Sequence, residues 1–214
     1  VRVDKTREHL INNVTLPTDD GSTQIDHIIV SVFGIFVIET KFMKGWIFGT
    51  EHQKQWTQKI FKKSFKFQNP LHQNYKHHKT LEAALGIDPA TIFSVIVFTG
   101  DSTFKTKMPD NVTHAGGVIS YIKGKTAVLL DDQTVTQVCQ QIEEGRLTPN
   151  RQTHKAHVAH VREIVDNKKQ NTSCPKCGSD MVLRTIKKGI KSGQQFWGCV
   201  QFPKCRGIVN QTNN

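Results

Sequence analysis

The sequence predicts an α/β (α+β) protein: a mixed β-sheet flanked by helices, followed by a small C-terminal zinc ribbon. Three observations predict it. Two β-branched runs, residues 24–31 and 34–41, meet at the short junction Val32-Phe33-Gly34 and read as a hairpin. A helical pattern over residues 70–85 then precedes the continuous apolar run 92–98, which reads as a buried central strand. Finally, four of the five cysteines fall in the last 41 residues as two pairs.

Element by element, residues 9–16 form a polar strand candidate leading into the turn Pro17-Thr-Asp-Asp-Gly21. Gly45-Trp-Ile-Phe-Gly49 continues the meander after the hairpin, with Gln55-Trp-Thr-Gln58 near a fourth strand. Asn69-Pro70 opens the helix, because proline is tolerated in the first turn, and Gly86 closes it. Leu71, Tyr75, His78, Leu81 and Leu85 recur along it at helical spacing. Residues 117–122 are expected as a short strand and 132–144 as a helix ended by Gly145. Cys139 sits in that helical pattern as a small buried hydrophobe. Pro149 and the polar residues after it mark the end of a first domain, 1–150. Residues 151–172 are a helical linker, with Val158, Val161, Ile164 and Val165 on one face, and 173–214 form the cysteine module.

The chain opens at Val1 without an initiator methionine, so residues upstream are expected in the natural protein. No run of about 18 apolar residues is present, which excludes a transmembrane helix. A basic-then-apolar leader is also absent at the start, so a secretory signal is missing or removed. The cysteines do not form a spread disulfide framework, which predicts a reducing, cytoplasmic setting. Net charge is +11, unevenly placed: residues 1–150 hold 17 Lys/Arg against 15 Asp/Glu, whereas 151–214 hold 12 against 3. Such asymmetry suits a polyanion partner, most commonly nucleic acid; a solvated basic tail is the plainer alternative.

Cys174-Pro-Lys-Cys177 is a metal knuckle, and Cys199 and Cys205 supply a second pair, with 21 residues between the pairs. Four thiolates complete a tetrahedral zinc site and leave no open position for catalysis. A redox pair or two disulfides are the rival readings. Between the pairs, Arg184, Lys187, Lys188 and Lys191 lead into Phe196 and Trp197, and Phe202 and Arg206 follow. Cations for phosphates beside aromatic faces for bases are what single-stranded nucleic acid needs. The same aromatics could instead form the ribbon's own core. The runs Cys174-Pro-Lys-Cys177-Gly-Ser, Phe196-Trp-Gly-Cys199 and Phe202-Pro-Lys-Cys205-Arg resemble the four-cysteine DNA-binding zinc finger of type IA topoisomerases, over residues 174–209. That resemblance implies DNA binding, preferably of single strands, and no topoisomerase activity.

In the first domain, Asp26 lies in one strand and Glu39-Thr40-Lys41 ends the next. Alternation puts Glu39 and Lys41 on one face, and a hairpin pairing lets Asp26 lie across from it. Two carboxylates at strand ends suit a hard divalent cation, and a neighbouring lysine can orient water or stabilise charge on phosphorus. Ordinary strand-edge charges are the alternative. The runs Gly21-Ser-Thr-Gln-Ile-Asp-His27, Gly34-Ile-Phe-Val-Ile-Glu-Thr-Lys41, Gly45-Trp-Ile-Phe-Gly49, Trp56-Thr-Gln58 and Gln68-Asn-Pro-Leu-His-Gln73 closely resemble the nuclease-related domain (NERD) family. That family is grouped with the restriction-endonuclease-like PD-(D/E)xK nucleases, and the likeness spans about residues 9–125.

The resemblance implies a restriction-endonuclease-like sheet, a fusion with the zinc finger known in bacteria, and a site that would be Mg²⁺- or Mn²⁺-dependent. It makes Asp26 and Glu39 metal ligands, Lys41 the catalytic lysine, and Gln73 a glutamine near the active site. An N-terminal helix carrying a further acidic residue is also implied, but nothing before the first strand matches it; Glu8 stands at that strand's start. His77-His78 and His154, His157 and His160 read as surface histidines in preference to a second metal site, and His27 as facing away from Asp26. Together these features predict a DNA endonuclease with a zinc-ribbon DNA grip, no membrane partner and no small-molecule cofactor. A DNA-binding accessory protein is the alternative, and RNA a further possible substrate.

Overall fold

A computed structural model describes residues 8–18, 21–172, 174–186 and 195–210. They group into two compact units, 1–157 and 158–214.

The first unit is built on a five-stranded mixed sheet. Strands β1 (Glu8–Thr18), β2 (Gly21–Ser31) and β3 (Gly34–Phe42) form an antiparallel meander. Two further strands, which we number β7 (Ile92–Thr99) and β9 (Val112–His114), add parallel to β3, giving the order β1-β2-β3-β7-β9. The turn between β2 and β3 needs Gly34, whose φ is +124° and where a Cβ would come 2.7 Å from the Thr91 carbonyl oxygen. The β1–β2 ladder skips Asn13, which takes a left-handed φ of +52°. Buried residues change parity across this break, from Ile11 and Ile28 to Val14 and Ile25, and Asp26 lies at it.

Three strands between β3 and β7 and one after β7 build a second sheet in the order β6-β5-β4-β8. Its members are β4 (Gly45–Phe48), β5 (Gln55–Ile60), β6 (Lys63–Gln68) and β8 (Ser102–Phe104). The sequence signals mark β4 and the start of β5 but not β6, because the Phe61-Lys62 turn carries neither Gly nor Asn. Ile47 and Trp56 face inward onto Ile96, Phe98 and Val112, with the Trp56 and Phe98 rings stacked at 6.2 Å.

Helices cover both faces of the main sheet. On one lie α1 (Pro70–Leu85) and α3 (Asp132–Gly145), which bury Leu81, Leu85, Val135, Val138 and Ile142 against β1–β3. On the other lies α2 (Ala115–Lys123), whose Val118, Tyr121 and Ile122 pack on Phe36, Ile38, Val95 and Val97. Residues 117–122, expected as a strand, are therefore helical. Their β-branched content suits a strand, but Val118, Tyr121 and Ile122 stand at i, i+3 and i+4, and tertiary packing selects the helix. A long helix, α4 (Arg151–Thr172), follows.

Asn69 anchors α1. It is fully buried; its Oδ1 accepts from Leu71 N (3.0 Å), and its Nδ2 donates to the carbonyls of Thr50, Glu51 and Gln53 (3.2, 3.0 and 2.7 Å). Asn69→Ala removes an N-cap worth about 1 kcal/mol and strips three carbonyls of a donor, at about 1–3 kcal/mol. A loss of about 2–4 kcal/mol in urea unfolding is expected; a loss under about 0.5 kcal/mol would show that this anchor carries no weight.

The second unit is a three-stranded antiparallel ribbon in the order β10 (Met181–Thr185), β11 (Gln195–Cys199) and β12 (Ile208–Asn210). No helix among the described residues is long and apolar enough to cross a membrane.

Candidate active site and metal centre

Strand β3 is buried up to Glu39, which is 3% exposed, and opens to solvent only at its end. Alternation directs Glu39 and Lys41 to the side covered by α1. That helix, fixed at Asn69, turns Gln73 and His77 toward the strand one helical turn apart.

The side chains close into a cluster. Lys41 Nζ donates to Glu39 Oε1 at 2.6 Å and to Gln73 Oε1 at 2.9 Å, and Gln73 Nε2 donates to the same Glu39 Oε1 at 2.7 Å. The other carboxylate oxygen, Oε2, lies 3.3 Å from His77 Nε2. That pair is not aligned for a hydrogen bond, and both atoms are buried without a hydrogen-bond partner. His77 Nδ1 is held by Thr23 Oγ1 at 2.8 Å.

Burial pushes the Glu39 carboxyl up, but His77 and Lys41 beside it prevail and hold it below the ordinary 4.5. Glu39 is thus ionised at neutral pH. The stability this contributes is present above the ordinary carboxylate range and is lost as pH falls below it.

Asp26 sits one residue beyond the last paired position of β2 and β3, His27↔Ile38, and so opposite Glu39. Its Oδ2 accepts from Thr40 N at 2.8 Å and from Thr40 Oγ1 at 2.6 Å. The structure therefore gathers Glu39, Lys41 and Gln73 and ties Asp26 to the residue between the first two. Glu39 Oε2, without a hydrogen-bond partner, and the Asp26 carboxylate across the ladder are the kind of oxygen ligands a hard cation would take.

His77 is the residue that sequence reasoning set aside. Its signal was its i+4 spacing from Gln73. His78 faces elsewhere, with Nε2 3.2 Å from the Ile92 carbonyl oxygen. His27 pairs with Asn12 at 2.6 Å, and His157 with Ser22 at 3.0 Å.

In the ribbon, the Sγ atoms of Cys174, Cys177, Cys199 and Cys205 lie within 4.8 Å of one another. The Cys174–Cys205 and Cys177–Cys199 separations are 3.6 and 3.5 Å. Tetrahedral thiolates bonded at about 2.3 Å stand about 3.8 Å apart, so the four cysteines fit a structural zinc site. This is the one cluster of three or more potential metal ligands among the described residues. Knuckle backbone shapes it: Gly178 N donates to Cys174 O at 2.8 Å, and Gln201 N to Cys199 Sγ at 3.4 Å. A Cβ on Gly207 would collide with Cys174 Sγ. Hydrogen bonds from Ser179 pull the Cys177 thiol down to about 6, whereas burial pushes Cys199 up to about 12.

The ribbon's aromatics divide. Trp197 packs on Cys174, Met181 and Cys199 as core. Phe202 is exposed, with the Arg184 guanidinium 5.6 Å from its ring. Phe196 and Arg206 line the same recess. Lys187, Lys188 and Lys191 lie outside the described residues.

A part-buried Glu/Lys/Gln cluster at a strand end and a separate four-cysteine ribbon define a nuclease-like domain joined to a zinc module. Comparison with known proteins agrees: residues 2–99 match the Nuclease-related domain family, NERD, and residues 171–214 match the Topoisomerase DNA binding C4 zinc finger. The chain joins a NERD domain to a topoisomerase-type C4 zinc ribbon. It is also 50% identical over 82 residues to the uncharacterized protein pXO1-01 of Bacillus anthracis, which covers 38% of this chain and 39% of that relative. The chain thus matches about two fifths of that relative's length. No solved structure matches.

Proposed function

We propose that the chain is a metal-dependent deoxyribonuclease that hydrolyses phosphodiester bonds, with the ribbon holding DNA, including single strands. The observation that carries this reading is the part-buried Glu39–Lys41–Gln73 cluster, in which Glu39 Oε2 has no hydrogen-bond partner. Asp26 and Glu39 would hold Mg²⁺ or Mn²⁺, which polarises the phosphodiester and lowers the pKa of an attacking water. Gln73 bridges Glu39 and Lys41, so the Lys41 ammonium is pre-oriented to meet a phosphate oxygen or a water. His77, fixed by Thr23, holds the far side of the Glu39 carboxylate. In the ribbon, Arg184, Phe202 and Arg206 are the described residues best placed for DNA, with Lys187, Lys188 and Lys191 adding charge. The nuclease-like domain spans 1–150, the helical linker 151–172 and the ribbon 173–214, in a reducing, cytoplasmic setting that keeps the thiols available to zinc.

A second reading, a DNA-binding accessory protein on a nuclease scaffold, is favoured by one observation: Asp26 is engaged by Thr40. Supercoiled plasmid and labelled single strands incubated with Mg²⁺ or Mn²⁺, beside a gel shift of the same DNA, separate the two. Nicking or strand cleavage is expected. Shifted DNA left intact in both metals would overturn the nuclease reading.

A further inference from the structure

Strands β5 and β6 are joined by the two-residue turn Phe61-Lys62, closed by the Ile60↔Lys63 pair. Phe61 has φ of +50° and is 94% exposed. Two-residue hairpin turns place Gly, Asn or Asp at such positions because a left-handed backbone strains residues with a bulky Cβ substituent. A phenylalanine here incurs that strain and gains nothing from burial. Strained residues held in place without a packing reason point to function. Lys62 and Lys63 follow it.

The outward face of the same sheet has a matching character. Trp46 is half exposed, with Lys105 Nζ 4.7 Å and Lys59 Nζ 5.7 Å from its ring. Lys66 stands beside them, donating to Thr57 Oγ1 at 2.6 Å. Lys44, Trp46, Lys59 and Phe61 line one recess of about 610 Å³, whose single acidic group is Asp101. Stacking rings interleaved with ammonium groups bind single-stranded nucleic acid, and an exposed phenylalanine can wedge between bases. Lys44 is three residues beyond Lys41, at most about 10 Å of extended chain, so one wall of the recess begins near the end of β3.

We propose that this face and its hairpin tip form a second DNA-binding site, separate from the ribbon, that takes a single strand. Phe61 stacks with the bases, while Lys59, Lys66 and Lys105 follow the phosphates around Trp46. The proposal rests on the nuclease reading only in making that strand the substrate; binding itself needs no catalytic metal.

The test uses the full zinc-loaded chain, a fluorescein-labelled single strand and anisotropy without added divalent cation, so a failure to cleave DNA leaves the outcome untouched. Phe61→Asn suits the left-handed turn, so Tm should stay level or rise while affinity falls about tenfold. The double variant Lys59→Gln/Lys105→Gln should flatten the log–log salt dependence by about 1.4. Affinity of Phe61→Asn within twofold of the parent overturns the proposal. So does unchanged DNA affinity together with lost sedimentation on anionic phospholipid vesicles, which would assign the tip to a membrane surface.

Discussion

Glu39→Gln is expected to reduce metal-dependent cleavage by about a hundred- to a thousandfold, the loss typical of one electrostatic group aimed at a reacting centre. The substitution keeps the side chain's shape and removes its charge. Lys41 and His77 then face an uncharged amide whose orientation must compete with that of Gln73. Breaking a buried ion pair costs about 3–5 kcal/mol when the remaining charge cannot escape. The Lys41 side chain is 19% exposed against 4% for Glu39, so its ammonium can turn to water. The stability loss should therefore fall nearer about 2–3 kcal/mol. Binding of Mn²⁺, followed by electron paramagnetic resonance, separates the two effects. Glu39→Gln should lose Mn²⁺ and cleavage together, whereas Lys41→Gln should keep Mn²⁺ and lose cleavage alone. If folded Glu39→Gln cleaves at the parent rate, the cluster is structural and the nuclease assignment of β3 is wrong.

Much of this site is legible in the chain because its parts are local. Glu39 and Lys41 share a face by alternation alone, and Asn69-Pro70 announces where α1 begins, whereas Gln73 enters only through the family resemblance. His77 is different: its role depends on α1 lying across β3, a relation set by packing among Leu81, Leu85 and the meander that no local pattern encodes. Asp26 is legible too, since the hairpin register puts it opposite Glu39; only its hydrogen bonds to Thr40, at the break where left-handed Asn13 interrupts the β1–β2 ladder, go unannounced. The β5–β6 hairpin is hidden because its turn uses Phe61 where the usual signal is Gly or Asn. In the ribbon, four cysteines state the metal site outright, yet which aromatics serve the core depends on the β10–β11 pairing, which turns Trp197 inward, while Phe202 lies in the turn beyond β11 and is exposed.

Removing zinc should have the larger effect on structure. Among the described residues, the ribbon buries the side chains of Cys174, Met181 and Cys199, with Trp197, Cys205 and Val209 partly covered, too little apolar surface to fix three short strands. Two sulfur pairs stand 3.5 and 3.6 Å apart, and as the thiolates of a zinc site they would repel unless a cation sat between them. Both facts assign the ribbon's folding free energy to the metal, about 10–16 kcal/mol in comparable small zinc modules. Chelation under reducing conditions, or Cys199→Ser, should release one zinc per chain and unfold residues 174–210. Trp197 emission should shift to the red as its packing is lost, while the unit ending at 157, with Trp56 buried against Phe98, melts at an unchanged temperature. Single-strand affinity should fall but not vanish, because the hairpin face in the first unit retains its lysines and Phe61. Complete loss of binding on zinc removal would place all DNA contact in the ribbon, and an unmoved Trp197 signal would mean that the strands hold without their metal.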